Sequence, residues 1–84
     1  MNAIQWTRKA LKQLRKLPPE MARRVYREAG ALEHFPDCRN VKRLRNHTCD
    51  YRLRVGRYRV LFNYDDDIRI ISIEEVRKRD ENTY

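Results

Sequence analysis

Between Tyr51 and Phe62 the chain alternates apolar and basic positions twice over. Tyr51, Leu53 and Val55 interleave with Arg52 and Arg54, and then Tyr58, Val60 and Phe62 interleave with Arg59 and Leu61. A period of two predicts strands with one buried face. Gly56-Arg57 lies between them and suits a two-residue hairpin loop with glycine first, because that position needs a positive φ. The register that follows sets Val55 opposite Tyr58, Arg54 opposite Arg59, Leu53 opposite Val60 and Arg52 opposite Leu61. Arg54 and Arg59 are then directly opposed with Cβ atoms about 5 Å apart, which is unfavourable unless an anion lies over them. The same alternation reads equally well as a solvated face whose arginine stems cover the sheet.

Elsewhere the periodicity is mixed. Ala3 to Trp6 reads as a first strand, and Thr7 as a helix N-cap. Ala10, Leu11, Leu14 and Leu17 recur at helical spacing and predict a helix from Arg8 to Leu17, with Arg8, Lys9, Lys12, Arg15 and Lys16 on its other side. Pro18 and Pro19 stop that helix, and Pro19 opens the next, with Glu20 near its positive end. Ala22, Val25, Ala29 and Leu32 form the second apolar stripe, so the two helices make an αα-hairpin. Gly30 costs a helix stability relative to alanine, and a close approach between backbones is one reading of it that the sequence leaves open.

His34 to Asn40 reads as a loop, Val41 to Arg45 as a short strand, and Asn46-His47-Thr48 as a turn into the central hairpin. Tyr64 to Asp67 turns the chain again. Ile68 to Ile73 is apolar on both faces and suits a central strand. Val76 to Arg79 is expected to leave the sheet. The order predicts an α+β fold over a single domain, residues 1–84. In it an N-terminal strand and a two-helix hairpin pack on one face of a small, mainly antiparallel sheet.

Charge sharpens the functional question. The 84 residues carry a formal net charge of +8, and the stretch from Arg39 to Arg59 holds a single acid, Asp50. Such a balance implies a polyanionic partner: nucleic acid, ribosome, an acidic protein segment or an anionic membrane surface. No apolar run approaches the roughly 20 residues of a spanning helix and no signal peptide is visible, so the expected location is cytoplasmic. Cys38 and Cys49 are expected as free thiols. With His34 and His47 they match no standard zinc spacing. Asp65, Asp66 and Asp67 read as a solvated turn, and Glu74 and Glu75 as a strand end with no third ligand nearby. Neither a metal nor a cofactor is expected. Phosphate-binding loops, nucleophile elbows and helix-turn-helix patterns are absent.

What remains is arginine and tyrosine. Metal-free RNA cleavage needs a base for the 2′-hydroxyl, cations for the charge that builds on phosphorus, and an acid for the leaving oxygen. Arginine suits the cationic role because its planar fork engages two phosphate oxygens at once. Tyrosine can stack on a base or exchange a proton.

The order and spacing of five short motifs resembles the RelE branch of the RelE/ParE toxin superfamily. They are Trp6-x4-Leu11-x2-Leu14, Lys42-x-Leu44-Arg45, Tyr51-Arg52-Leu53-Arg54, Tyr58-Arg59-Val60-Leu61-Phe62 and Val76-x-Lys78-Arg79-x4-Tyr84. The resemblance spans nearly the whole chain. It implies the toxin of a type II toxin–antitoxin pair that enters the ribosomal A site, cleaves messenger RNA without metal and so inhibits translation. By that resemblance the catalytic residues are Arg52, Arg54, Arg59, Arg79 and Tyr84. Lys42, Arg43, Arg45, Arg57, Arg77 and Lys78 are the expected RNA- and ribosome-binding residues. The family's best-known members have lysines at the places of Arg52 and Arg54. Arginine is a poor base, so His47 and Tyr84 with its carboxylate become candidates for that role.

The implied partners are an antitoxin with an acidic, amphipathic segment, forming a toxin–antitoxin hetero-oligomer, and the ribosome with its messenger; no membrane is implied. Two other classes stand beside this reading. One is a ParE-type inhibitor of DNA gyrase without nuclease activity. The other is an inactive ribosome- or nucleic-acid-binding module.

Overall fold

Thr7 marks the place where strand gives way to helix. Its hydroxyl accepts from the Ala10 N–H at 3.1 Å and donates to the Glu74 carbonyl at 3.2 Å, so one side chain caps a helix and ties it to a strand. The structure is a computed structural model and describes residues 1–78; Arg79 and Tyr84, both expected in the site, lie outside the described residues. The elements are β1 (Ala3–Trp6), α1 (Arg8–Arg15), α2 (Pro19–Ala29), a 3-10 helix (Gly30–His34), β2 (Val41–Arg43), β3 (Tyr51–Val55), β4 (Tyr58–Asp65) and β5 (Ile70–Lys78).

The strands form one sheet in the order β1-β5-β4-β3-β2, antiparallel except for the parallel β1–β5 pair. The helices pack on one face, and the α+β architecture is the expected one. Val25, Ala29 and Leu32 from the helical layer meet Val55, Val60, Phe62, Ile71 and Ile73 from the sheet, all fully buried. Each large apolar side chain removed from water contributes about 1.5–3 kcal/mol. Asn2 locks the N-terminus onto this layer. Its amide donates to the Leu32 and Phe35 carbonyls at 3.2 and 2.8 Å, and its oxygen accepts from the Tyr64 hydroxyl at 3.1 Å.

β1 ends at Trp6 while β5 runs on, which leaves an unpaired edge. The Thr7 cap and α1 cover it. The Thr7 N–H donates to the Ile73 carbonyl at 3.0 Å, and the Gln13 side-chain oxygen accepts from the Val76 N–H at 2.7 Å. Backbone groups of the edge are thereby satisfied without another strand. No described helix is long and apolar enough to cross a membrane.

Several boundaries differ from expectation, among them the end of β4, which runs through Tyr64 to Asp65 where a turn is expected, and the end of α2 at Ala29, before Leu32. The last strand starts at Ile70, not Ile68, and continues through Val76 to Lys78, so the segment expected to leave the sheet is part of it. Ile68 sits in the turn, 62 % exposed, because the Asp65 carboxylate accepts from the Asp67 and Ile68 N–H groups and holds a tight loop. The strand that opens at Val41 ends at Arg43; the Leu44 N–H still donates to the Asp50 carbonyl at 2.7 Å in the same register, before Asn46, with φ +53°, turns the chain. The first helix ends at Arg15. Lys16 and Leu17 donate to Gln13 and Leu14, three residues back, which tightens the last turn. Gly30 marks no close approach: a Cβ there meets nothing within 4 Å.

Candidate active site

Alternation turns Arg52, Arg54 and Arg59 away from Leu53, Val55 and Val60, which fill the core, and so onto the face that the described helices leave open. Register then lines up residues from several strands. One row across the sheet reads Lys42, Arg52, Leu61 and Glu75; the next reads Arg54, Arg59 and Arg77. The hairpin register is the expected one, residue for residue, and Gly56 at its tip has φ +57°. The Arg54 N–H donates sideways to the Asn40 carbonyl at 2.9 Å. It therefore points away from β4, which makes Arg54/Arg59 a non-hydrogen-bonded pair, the kind whose Cα atoms approach to about 4.5 Å. Three arginine side chains thus leave the sheet from one row across β3, β4 and β5.

The β2 strand and the loop after it add a wall to this floor. Lys42, Arg43, Leu44, Arg45 and Asn46, with Arg52 and Arg59, line a groove of about 1250 Å³. Asn40 and Asn46 flank the wall with φ of +66° and +53°, left-handed positions that asparagine tolerates better than most residues. The Arg52 Nη1 atom donates to the Asn40 carbonyl at 3.3 Å, which steadies its side chain over the groove. At the other end of the same sheet face the lining changes to Gln5, Asn63, Ser72, Asp65 and Asp66. A polyanion is thus drawn to the arginine end and repelled from the acidic one.

Glu75 is the residue that sequence reasoning missed. It is buried on the open face, and its Oε1 atom lies 3.1 Å from both Lys9 Nζ and Arg77 Nε. A β-bulge puts it there. Leu61 pairs with Glu75 and Phe62 with Ile73, so Glu74 is an extra residue that reverses the alternation of β5. Val76 then enters the core and Glu75 faces out among cations. Burial pushes its carboxyl up, but the hydrogen bond from Lys9 and the nearby Arg77 guanidinium outweigh that and hold it below the ordinary value. The Glu-Glu pair in sequence carries no signal of which carboxylate faces the arginines, because the bulge is a tertiary feature.

The other expected residues scatter. Arg57 is exposed at the hairpin tip, and Lys78 stands opposite Tyr58, in the row that faces the helices. His47 lies in the loop before β3, where its Nδ1 atom accepts from the Cys49 N–H at 3.0 Å. The neutral ring then carries its proton on Nε2, which makes it a donor toward anything that approaches. Burial pushes the thiols of Cys38 and Cys49 up, which keeps them protonated and inert at neutral pH. No group of three His, Cys, Asp or Glu side chains among the described residues is placed to hold a metal.

Comparison with known proteins agrees with this architecture. Residues 4–83 match the model of the family described as ParE toxin of type II toxin-antitoxin system. The toxin–antitoxin complex RelBE2 from Mycobacterium tuberculosis contains a chain 32 % identical to this one. The match covers 93 % of this chain and 98 % of that chain, with a TM-score of 0.81. The archaeal RelE–RelB complex from Pyrococcus horikoshii is 27 % identical, covers 95 % and 97 %, and has a TM-score of 0.80. The isolated Escherichia coli RelE toxin, at 18 % identity, 99 % and 89 % coverage and a TM-score of 0.79, shares the fold. No curated protein sequence matches. Family model and solved relatives converge: the chain belongs to the ParE toxin family and is a type II toxin–antitoxin toxin of the RelE/ParE superfamily.

Proposed function

We propose that the protein is a ribosome-dependent, metal-independent endoribonuclease that cleaves messenger RNA in the ribosomal A site and so stops translation. The observation that carries this reading is the row of Arg54, Arg59 and Arg77 beside Arg52 on the sheet face that no described helix covers. Like charges held this close fit a site for a phosphate that gains negative charge during reaction. In the proposed step the 2′-oxygen forms a bond to phosphorus as the bond from phosphorus to the 5′-oxygen breaks. The arginines hold the non-bridging oxygens, with Arg79 joining them from outside the described residues. The 2′-proton goes to a base, for which His47 and Tyr84 with its carboxylate are the candidates, and the leaving 5′-oxygen takes a proton from water. Tyr84 is assigned first to stack on or orient the substrate base, with exchange of the 2′-proton as its second role. Tyr84→Phe retains cleavage if stacking is its role and loses it if proton transfer is; Tyr84→Ala loses it in both cases.

The partner that restrains the toxin in this reading is an antitoxin with an acidic, amphipathic segment, and both act in the cytoplasm. The +8 charge supports it, and salt should weaken the complex. Solved relatives that are complexes with RelB proteins support an antitoxin partner.

One observation favours a second reading. The matching family model is named for ParE, whose activity in our reading of the superfamily is inhibition of DNA gyrase rather than RNA cleavage. Expressing the protein in cells, mapping messenger 5′ ends and assaying gyrase supercoiling separates the two. Cuts in phase with codons support the nuclease; lost supercoiling with intact messengers overturns it.

A further inference from the structure

The helices carry a second basic surface that the arginine rows do not explain. Arg8, Lys12, Arg15 and Lys16 are all exposed on α1 and the residue after it, while Ala10 and Leu14 are buried on the opposite side. Spacings of four, seven and eight place the four cations on one helical face, along about 12 Å of axis. Lys12 and Arg15 suit the last turn of the helix, but the close spacing of the four also carries a cost. Arg8 with Lys12, and Lys12 with Lys16, are like-charge pairs four apart, which destabilise. Arg8 also sits in the first turn, where the helix dipole disfavours a cation and no acidic residue offsets it. None of these four joins an ion pair among the described residues, whereas Lys9, turned to the sheet edge, is held by Glu75.

An aromatic pair lies where this row begins. Trp6 directly precedes the Thr7 cap, and its ring stacks on Tyr26 of α2 with centroids 5.6 Å apart and planes at 22°. Tyr26 is nonetheless 59 % exposed, so the stack has room to extend. We propose that this hairpin surface is a second RNA-binding face, which takes the backbone of a folded RNA along α1 and an unpaired base on Tyr26.

The chemistry selects the partner. Protein interfaces deplete charged residues at their centres, and the exposed side of α1 is all lysine and arginine. Nucleic-acid interfaces are strongly positive and polar. Duplex DNA keeps its bases stacked, whereas folded RNA offers splayed bases in loops and bulges for aromatic rings. Because the helices and the arginine rows occupy opposite faces of the sheet, both can be engaged at once. The inference goes beyond the cleavage reading and stands or falls on binding alone.

The test uses the whole purified chain with Arg54→Gln and Arg59→Gln, which weakens the sheet face, and a fluorescein-labelled RNA stem–loop followed by anisotropy across a salt series. Replacing Arg8, Lys12, Arg15 and Lys16 by glutamine should lower the slope of log affinity against log salt by about 3 units. Circular dichroism should show the helices retained, since the like-charge pairs are gone. Tyr26→Ala should weaken stem–loop binding about 5- to 150-fold and leave a fully paired stem unaffected. Trp6, the sole tryptophan, should be quenched by the stem–loop. An unchanged salt slope, or equal loss for stem and stem–loop on Tyr26→Ala, would overturn the proposal. So would binding of a glutamate-rich peptide at this surface with no binding of RNA.

Discussion

Arg54 on β3 and Arg59 on β4 stand directly opposite each other on the sheet face that no described helix covers, and Arg77 stands opposite Arg59 on the next strand. The pair is of the non-hydrogen-bonded kind, so its side chains begin as close as neighbouring strands permit. Replacing Arg54, which is exposed, by the strand-favouring threonine removes the repulsion without touching the core. A gain of about 0.2–1 kcal/mol is expected, read as an unchanged or higher melting temperature. In the nuclease reading the same variant should cut ribosome-bound messenger about 100- to 1000-fold more slowly. A clear fall in melting temperature would place Arg54 in a structural role.

Glu75 couples the arginine face to pH. Its carboxyl is held below the ordinary value of 4.5 in the folded protein. A group whose pKa is depressed by folding stabilises the fold above its unfolded value, and the contribution is lost as pH falls through the folded one. Glu75→Gln should therefore cost about 1–3 kcal/mol at neutral pH, since two charge-assisted contacts weaken. The gap between parent and variant should narrow as pH drops below about 4.5. Thermal melts across an acid series measure this, and a gap independent of pH would assign the loss to packing.

Gly30 offers a simple gain. Its φ of −60° and ψ of −25° are helical, and a Cβ meets no atom within 4 Å. Gly30→Ala should stabilise by about 0.4–1 kcal/mol, chiefly by restricting the unfolded chain. Denaturant titration should show a higher midpoint with an unchanged slope.

Arg69 is the opposite case, a side chain in a glycine conformation. Its φ is +54°, in the turn that leads into β5. A left-handed position costs an ordinary L-residue about 1–2 kcal/mol. Arg69→Gly relieves that cost but adds freedom to the unfolded chain, so Arg69→Asn should be the better of the two. Both should melt at or above the parent temperature; a fall in both would reveal a contact through the arginine side chain that outweighs the strain.

Much of this protein is legible along the chain because its information is local. Period-two alternation and a glycine-first loop determine the β3–β4 hairpin, its register and the opposition of Arg54 and Arg59, since a two-residue turn leaves one pairing. Thr7, the proline pair and two apolar stripes determine the helical hairpin and the face it covers. Tertiary structure decided the rest. The β-bulge at Glu74 is set by how β5 must pair with β4 while α1 covers its edge. That one extra residue sends Val76 inward and Glu75 out among the cations, and alternation alone predicts the reverse. The turn at Asp65 to Arg69 likewise depends on side-chain hydrogen bonds that take Ile68 out of a strand its apolarity suits. Strand pairing and edge protection join residues far apart in sequence, so a local pattern carries no record of them.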